Sequence, residues 1–169
     1  MRVILPFVAG HLEDGVYEAI SDTGYGVELH DVAGSDTAYH RLLVELWNCG
    51  EDVAIIEQDI RIKSDTLEGF ANCPNGWCAG QYAYLGSENY TGLGCTRFRV
   101  EFMAAHPDVI IAAGEYEDPT HPAGGHWCIQ DAAIQIALRN KGAHVCVHGH
   151  VDHLGSLAPA HGCCGEEYA

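Results

Sequence analysis

Apolar residues run without alternation through Val53, Ala54, Ile55 and Ile56 and then give way to Glu57-Gln58-Asp59. Three of those four are β-branched, the pattern of a strand covered on both faces. Continued as extended chain, Glu57 and Asp59 stand at i and i+2 and point the same way. They also stand where a buried strand of an open α/β sheet ends, the side on which such sheets bind ligands. Two hard oxygen donors there suit a divalent cation; solvated acids at an exposed strand end are the plain alternative.

The same patterning predicts the elements on either side. Arg2 to Val8 is an apolar first strand, Glu13 to Ile20 a short helix, and Gly26 to Val32 a second strand. Asp36 is a suitable N-cap for a helix to about Asn48, with Leu42, Leu43, Leu46 and Trp47 inward and Gly50 as its stop. Three strands separated by two helices form a βαβαβ unit over residues 1–62. No Gly-x-Gly-x-x-Gly follows the first strand, so a nucleotide bound here is not held by a glycine cradle.

Beyond it, Asp65 caps a short helix through Phe70, Trp77 to Tyr84 reads as a strand, and Ser87 to Gly94 as a turn-rich loop. Cys95 to Val100 is a further strand, followed by a short helix before Pro107. Tyr116 to Gly125, with Pro119 and Pro122, reads as a loop suited to a lid. His126-Trp127 leads into a helix, Ile129 to Asn140, with Asp131 in its first turn, where the helix dipole alone accounts for a carboxylate. A last buried strand, Ala143 to Val147, delivers His148-Gly-His-Val-Asp-His153.

Length and composition narrow the function. At 169 residues with 47% hydrophobic and 19% charged residues, the chain suits one globular domain. Apolar runs are too short for a membrane span, and the N-terminus does not read as a secretory signal, so a soluble, cytoplasmic protein is expected (host cytoplasm if viral). The net charge of −16 and the lack of a basic run argue against tight electrostatic grip on nucleic acid.

Eight cysteines without a signal sequence are read mostly as reduced core residues, Cys146 among them. Cys73 and Cys78 are spaced by four, looser than a zinc-ribbon pair, and Cys163-Cys164 adjoin His161; neither group makes a four-ligand set in sequence. His148, His150, Asp152 and His153 match the His-x-His-x-Asp-His signature of the metallo-β-lactamase fold. This supports an alternative reading as a zinc metallo-hydrolase. Only 16 residues follow His153, too few for the second half of that fold and its remaining ligands.

The order of features resembles compact glycosyltransferases of the GT-A type, the short kind of actinobacterial and phage genomes. The features are the Tyr39-to-Asn48 helix leading to Ala54-Ile-Ile-Glu-Gln-Asp59, then Trp77-Cys78-Ala79 and Thr91-Gly-Leu-Gly-Cys-Thr-Arg-Phe98. His126-Trp127 with Asp131, and the late histidines, complete the series. The first acid of the usual Asp-x-Asp pair is Glu57 here. The resemblance implies a single GT-A-like (Rossmann-like) three-layer sandwich with a mostly parallel central sheet. Residues 1–62 would be its nucleotide-binding half, 63–155 its acceptor and metal half, and 156–169 a tail.

It further implies an inverting hexosyl transfer from a nucleoside-diphosphate sugar, in the first instance a UDP-sugar. Asp59 would bind Mn²⁺ or Mg²⁺, with His150 completing the metal shell and His148 and His153 as alternates. Glu57 would assist or touch the ribose, and Asp131 would act as general base. Pro6 and Phe7 would lie beside the nucleotide base, Gly92, Leu93, Gly94 and Cys95 would line the sugar, and Trp127 would stack on donor or acceptor. The acceptor stays open between a hydroxymethylated DNA base, which would make the chain a phage DNA-modification enzyme, and a protein or glycan.

Overall fold

A computed structural model describes residues 1–35, 37–84, 87–116 and 127–154. β1 (Arg2–Phe7), β2 (Val27–Asp31) and β3 (Val53–Ile56) form one half of the main sheet. They are joined by α1 (Val16–Ser21) and α2 (Ala38–Trp47). β1 lies between β2 and β3 and runs parallel to both, as helical crossovers require. The continuous apolar runs are buried on both faces because alternate residues serve two cores. Ile4, Val53 and Ile55 pack with α2 on one side, and Val3, Leu5, Ala54 and Ile56 pack with Val16 and Ile20 of α1 on the other.

The second half departs from the expected mostly parallel sheet. β4 (Ile60–Arg61) and α3 (Thr66–Asn72) lead to β5 (Trp77–Tyr84), β6 (Ser87–Tyr90) and β7 (Cys95–Phe98). β7 inserts between β3 and β5, antiparallel to each, and β6 is antiparallel to β5. With β8 (Cys146–His150) parallel to β5, and β9 (Asp152–His153) antiparallel to β4, four of the seven strand pairings among the described residues are antiparallel. The fold is therefore α/β with a mixed sheet in the order β2-β1-β3-β7-β5-β6, β8 pairing β5. The reason is connection length: two residues separate β5 from β6, too few for a parallel crossover, and β7, four residues further on, keeps the direction of β6. Reading residues 87–94 as a loop hid β6 and with it the change of direction.

Three helices complete the layer over α2: α4 (Val100–Ala105), α5 (Asp108–Glu115) and α6 (Trp127–Asn140). The sequence reading left α5 unassigned; Pro107 occupies its N-cap, and Val109, Ile110 and Ala113 form its buried face. α6 begins at Trp127, so Asp131 lies beyond the first turn, and the dipole explanation for it does not apply. The last long strand is not buried. β8 is half-exposed, with Val147 open to solvent, because among the described residues it pairs with β5 alone. The proposed N-cap Asp36, the lid segment 117–125, His126 and the tail from 155 onward lie outside the described residues.

Candidate functional site

The carboxyl end of β3 opens into a turn rather than continuing as strand: the Ile60 amide donates to the Glu57 carbonyl at 3.0 Å. The expected i, i+2 alignment of Glu57 and Asp59 is thereby broken, and the two acids face different neighbours. Glu57 accepts a hydrogen bond from the Tyr39 hydroxyl at 2.8 Å, while its amide donates to the Gly94 carbonyl at 2.9 Å. Asp59 lies 3.2 Å from His153 Nε2. The β4–β9 pairing sets that approach, since Ile60 stands opposite His153 and the Leu154 amide donates to the Asp59 carbonyl at 2.7 Å.

Gln58, between the two acids, has a part that sequence reading missed. Its side-chain oxygen accepts from the Val8 amide at 2.6 Å and its carbonyl from the Glu13 amide at 3.0 Å. It thus ties the segment after β1 to the acid turn. Pro6 is buried and Phe7 half-buried at the end of β1 beside this turn.

Asp131 reaches the same wall from α6. Its carboxylate accepts from the Tyr90 hydroxyl at 2.8 Å, the Leu93 amide at 2.9 Å and Gln135 Nε2 at 2.9 Å. A Cβ on Gly92 would collide with the Asp131 carboxylate, and one on Gly94 would come within 2.8 Å of the Tyr82 hydroxyl. These glycines therefore let α6 and β5 approach the loop before β7 closely. Leu93, expected to line the sugar, turns into the core. Tyr82 stacks on His153 with ring centroids 5.6 Å apart and meets Tyr90 edge-on at 5.5 Å.

The electrostatics follow from this crowding of acids. Burial first, then the charges of Asp131 and Asp59, push the Glu57 carboxyl up to about 8, against the Tyr39 hydrogen bond. Burial also raises Asp131, opposed by its hydrogen bonds from Gln135, Tyr90 and Leu93. Tyr39 and Tyr82 are raised far above the usual phenol range by burial and by the neighbouring carboxylates, so both remain neutral donors. Among the described residues no Lys or Arg forms an ion pair with Glu57, Asp59 or Asp131.

The late histidine run does not act as one unit. Gly149 has φ +59 and the β5–β8 register shifts beside it, which breaks the alternation of the strand. His150, expected on the metal with Asp59, is exposed opposite Gln81; the imidazole beside Asp59 is that of His153. Asp152 pairs with Arg61 at 3.0 Å on the surface. His148 turns toward α3, where it joins Cys73, Cys78 and Cys146, their ligand atoms all within 4.8 Å of one another. Cys146 is therefore not an isolated core thiol, and a four-residue cluster able to hold a metal does exist, composed of three thiols and one imidazole. The metallo-hydrolase signature is scattered over three environments. Trp127 opens α6, but its side chain, like Cys163 and Cys164, lies outside the described residues.

No protein-family model and no curated protein matches this chain. Among solved structures, the crystal structure of A197 from STIV is similar, with a TM-score of 0.53 and 12% identity. The match covers 89% of this chain and 83% of that one. At that identity the likeness concerns the fold alone. Among the described residues no helix is long and apolar enough to cross a membrane.

Proposed function

We propose that the chain is a divalent-metal-dependent glycosyltransferase that moves a sugar from a nucleoside-diphosphate donor to an acceptor hydroxyl. The observation that carries this reading is the convergence of Asp59, its 3.2 Å neighbour His153, Glu57 and Asp131 on one wall at the carboxyl end of β3. Ligands of open α/β sheets bind at that end.

The Asp59 carboxylate is the hard oxygen donor that Mn²⁺ or Mg²⁺ prefers, with the His153 imidazole beside it, and such ions take few protein ligands and fill the rest of their shell with phosphate oxygens and water. When bound, such an ion neutralises the charge that develops on a diphosphate leaving group. Glu57 holds one oxygen against the Tyr39 hydroxyl and turns its carboxyl to a ribose hydroxyl. Asp131 accepts the proton of the acceptor hydroxyl as that oxygen attacks the anomeric carbon and the bond to diphosphate breaks, with inversion. Burial raises its basicity toward the operating pH, and Tyr90, the Leu93 amide and Gln135 fix its orientation. The end of β1, at Pro6 and Phe7, is the neighbouring wall for the base. A UDP-sugar is the first donor to try; the acceptor is a DNA base bearing a hydroxymethyl group, a protein or a glycan.

Thermal unfolding with a panel of nucleoside diphosphates, each with and without Mn²⁺, tests the reading. The midpoint should rise only when a diphosphate and the metal are both present, and Asp59→Ala should abolish that rise. Asp131→Asn should keep the rise yet slow donor turnover by ~10²–10⁴-fold. An unresponsive midpoint across the whole panel, or full turnover by Asp131→Asn, would overturn the reading.

A further inference from the structure

The geometry points to a second, structural metal site: a zinc ion held by Cys73, Cys78, Cys146 and His148, stapling α3 to β5 and β8. This inference is independent of the transferase reading, whose residues lie elsewhere.

The four ligand atoms come from three separate parts of the chain. Cys73 follows the last residue of α3, where the backbone leaves helical geometry, and is buried. Cys78 is the second residue of β5 and stands directly opposite Cys146, the first residue of β8, in the parallel pairing. His148 is two residues beyond Cys146, so both side chains leave the strand on the same face. Its Nε2 lies 3.6 Å from Cys146 Sγ. The ring is set by the edge of Phe70, 5.6 Å away, and by Gly69, where a Cβ would come to 3.3 Å from Nδ1. Ligand atoms within 4.8 Å of one another need only a small contraction to form a tetrahedron. With ~2.3 Å zinc–sulfur arms its edges are roughly 3.8 Å. Three thiolates and one imidazole form a closed shell with no position left for substrate, the composition of a structural zinc centre.

A second observation points to the same ligand state. Arg97, in the middle of β7, is fully buried, and among the described residues no carboxylate forms an ion pair with it. Its guanidinium donates to the carbonyls of Asn75, Phe70 and Cys73 and to Cys78 Sγ, the last at 3.2 Å. Those carbonyls lie in the α3–β5 segment that carries the cysteines. A buried cation requires a compensating charge. Zinc bound to three thiolates and a neutral imidazole carries one net negative charge, which matches one guanidinium. Asn75 Nδ2 donates to Cys73 Sγ at 3.4 Å, so two of the three sulfurs already receive N–H donors of the kind that surround metal-bound thiolates.

The full chain, purified in reducing buffer without chelator, should contain one zinc per molecule by elemental analysis, and Cys73→Ser/Cys146→Ser should contain none. Chelation should lower the wild-type midpoint by roughly 10 °C or more. Should the double variant fail to fold, cobalt(II) titration of the wild type decides the matter. The expected signature is thiolate-to-cobalt charge transfer with tetrahedral d–d bands, and His148→Cys should retain one metal while strengthening the charge transfer from three thiolates to four. Each of four results would overturn the proposal: metal-free wild type that takes up no zinc, zinc retained by the double variant, a six-coordinate cobalt spectrum without charge transfer, or a Cys73–Cys78 disulfide in the purified protein.

Discussion

The two ends of the β8–β9 run meet surroundings of opposite electrostatic character. His153 meets a wall of three carboxylates with which no Lys or Arg pairs among the described residues, and burial raises both Glu57 and Asp131. His148, five positions earlier, meets three thiols beside a buried guanidinium that has no carboxylate partner among the described residues. The carboxylate wall gathers negative charge on hard oxygen donors, which suits a hard cation with a phosphate ligand. The thiol cluster lies beside α3 against a fixed positive charge, and its sulfur donors suit a soft-ligand ion. Two histidines of one short run thus meet surroundings that differ in sign of charge and in the hardness of their donor atoms.

Removing the guanidinium is the strongest way to break this comparison. Arg97→Met should destabilise the zinc-loaded protein by about 3–5 kcal/mol, as expected when one partner of a buried charge pair is lost. It should also weaken zinc binding by ~10–100-fold. Urea unfolding with and without chelator measures both effects. An equal loss of stability in loaded and chelated protein would mean that Arg97 acts through the three carbonyls alone.

On the acidic side, the unfolded chain should lose the Glu57 proton near 4.5 and the folded chain near 8. Between those values the unfolded state binds fewer protons, so stability falls as pH rises through the window; the contribution is intact below 4.5 and gone above 8. Glu57→Gln retains an acceptor for Tyr39 and removes this dependence. It should be more stable than wild type at pH 8 by about 1–3 kcal/mol, with little difference at pH 4.5. Urea midpoints at the two pH values check it; identical pH slopes in variant and wild type would mean that folding does not raise the Glu57 carboxyl.

The smallest effect sharpens the boundary between the sites. His150→Ala should leave zinc content, nucleotide response and stability unchanged, the last within about 0.5 kcal/mol, because the side chain is exposed. His153→Ala, run alongside, should lose the metal-dependent nucleotide response while keeping its zinc. Loss of that response in His150→Ala instead would restore the original pairing of His150 with Asp59.

Much of the first half of the fold was legible in the chain. The uninterrupted run Val53–Ile56 and the helix bearing Leu42, Leu43, Leu46 and Trp47 record burial through hydrophobic period alone, and both occur as read. The second half was less legible because β6 (Ser-Glu-Asn-Tyr) is polar and largely exposed, so its strand character rests on pairing with β5 rather than on composition. The histidine cluster misled for a related reason. Sequence proximity suggested one site, but Gly149 at positive φ and the register shift of β8 send neighbours to different places.

The sequence by itself determined the buried strands β1 and β3, the inner face of α2, the acidic surplus and the residue types available for chemistry, because these depend on local period and composition. Only the tertiary structure decided strand direction after β3, the choice of His153 over His150 beside Asp59, and the meeting of Cys73 and Cys78 with Cys146 and His148. The physical reason is that pairing register and contacts between residues 68 to 94 positions apart carry no local periodicity. They are fixed by which edges and faces remain to be covered once the first elements have packed.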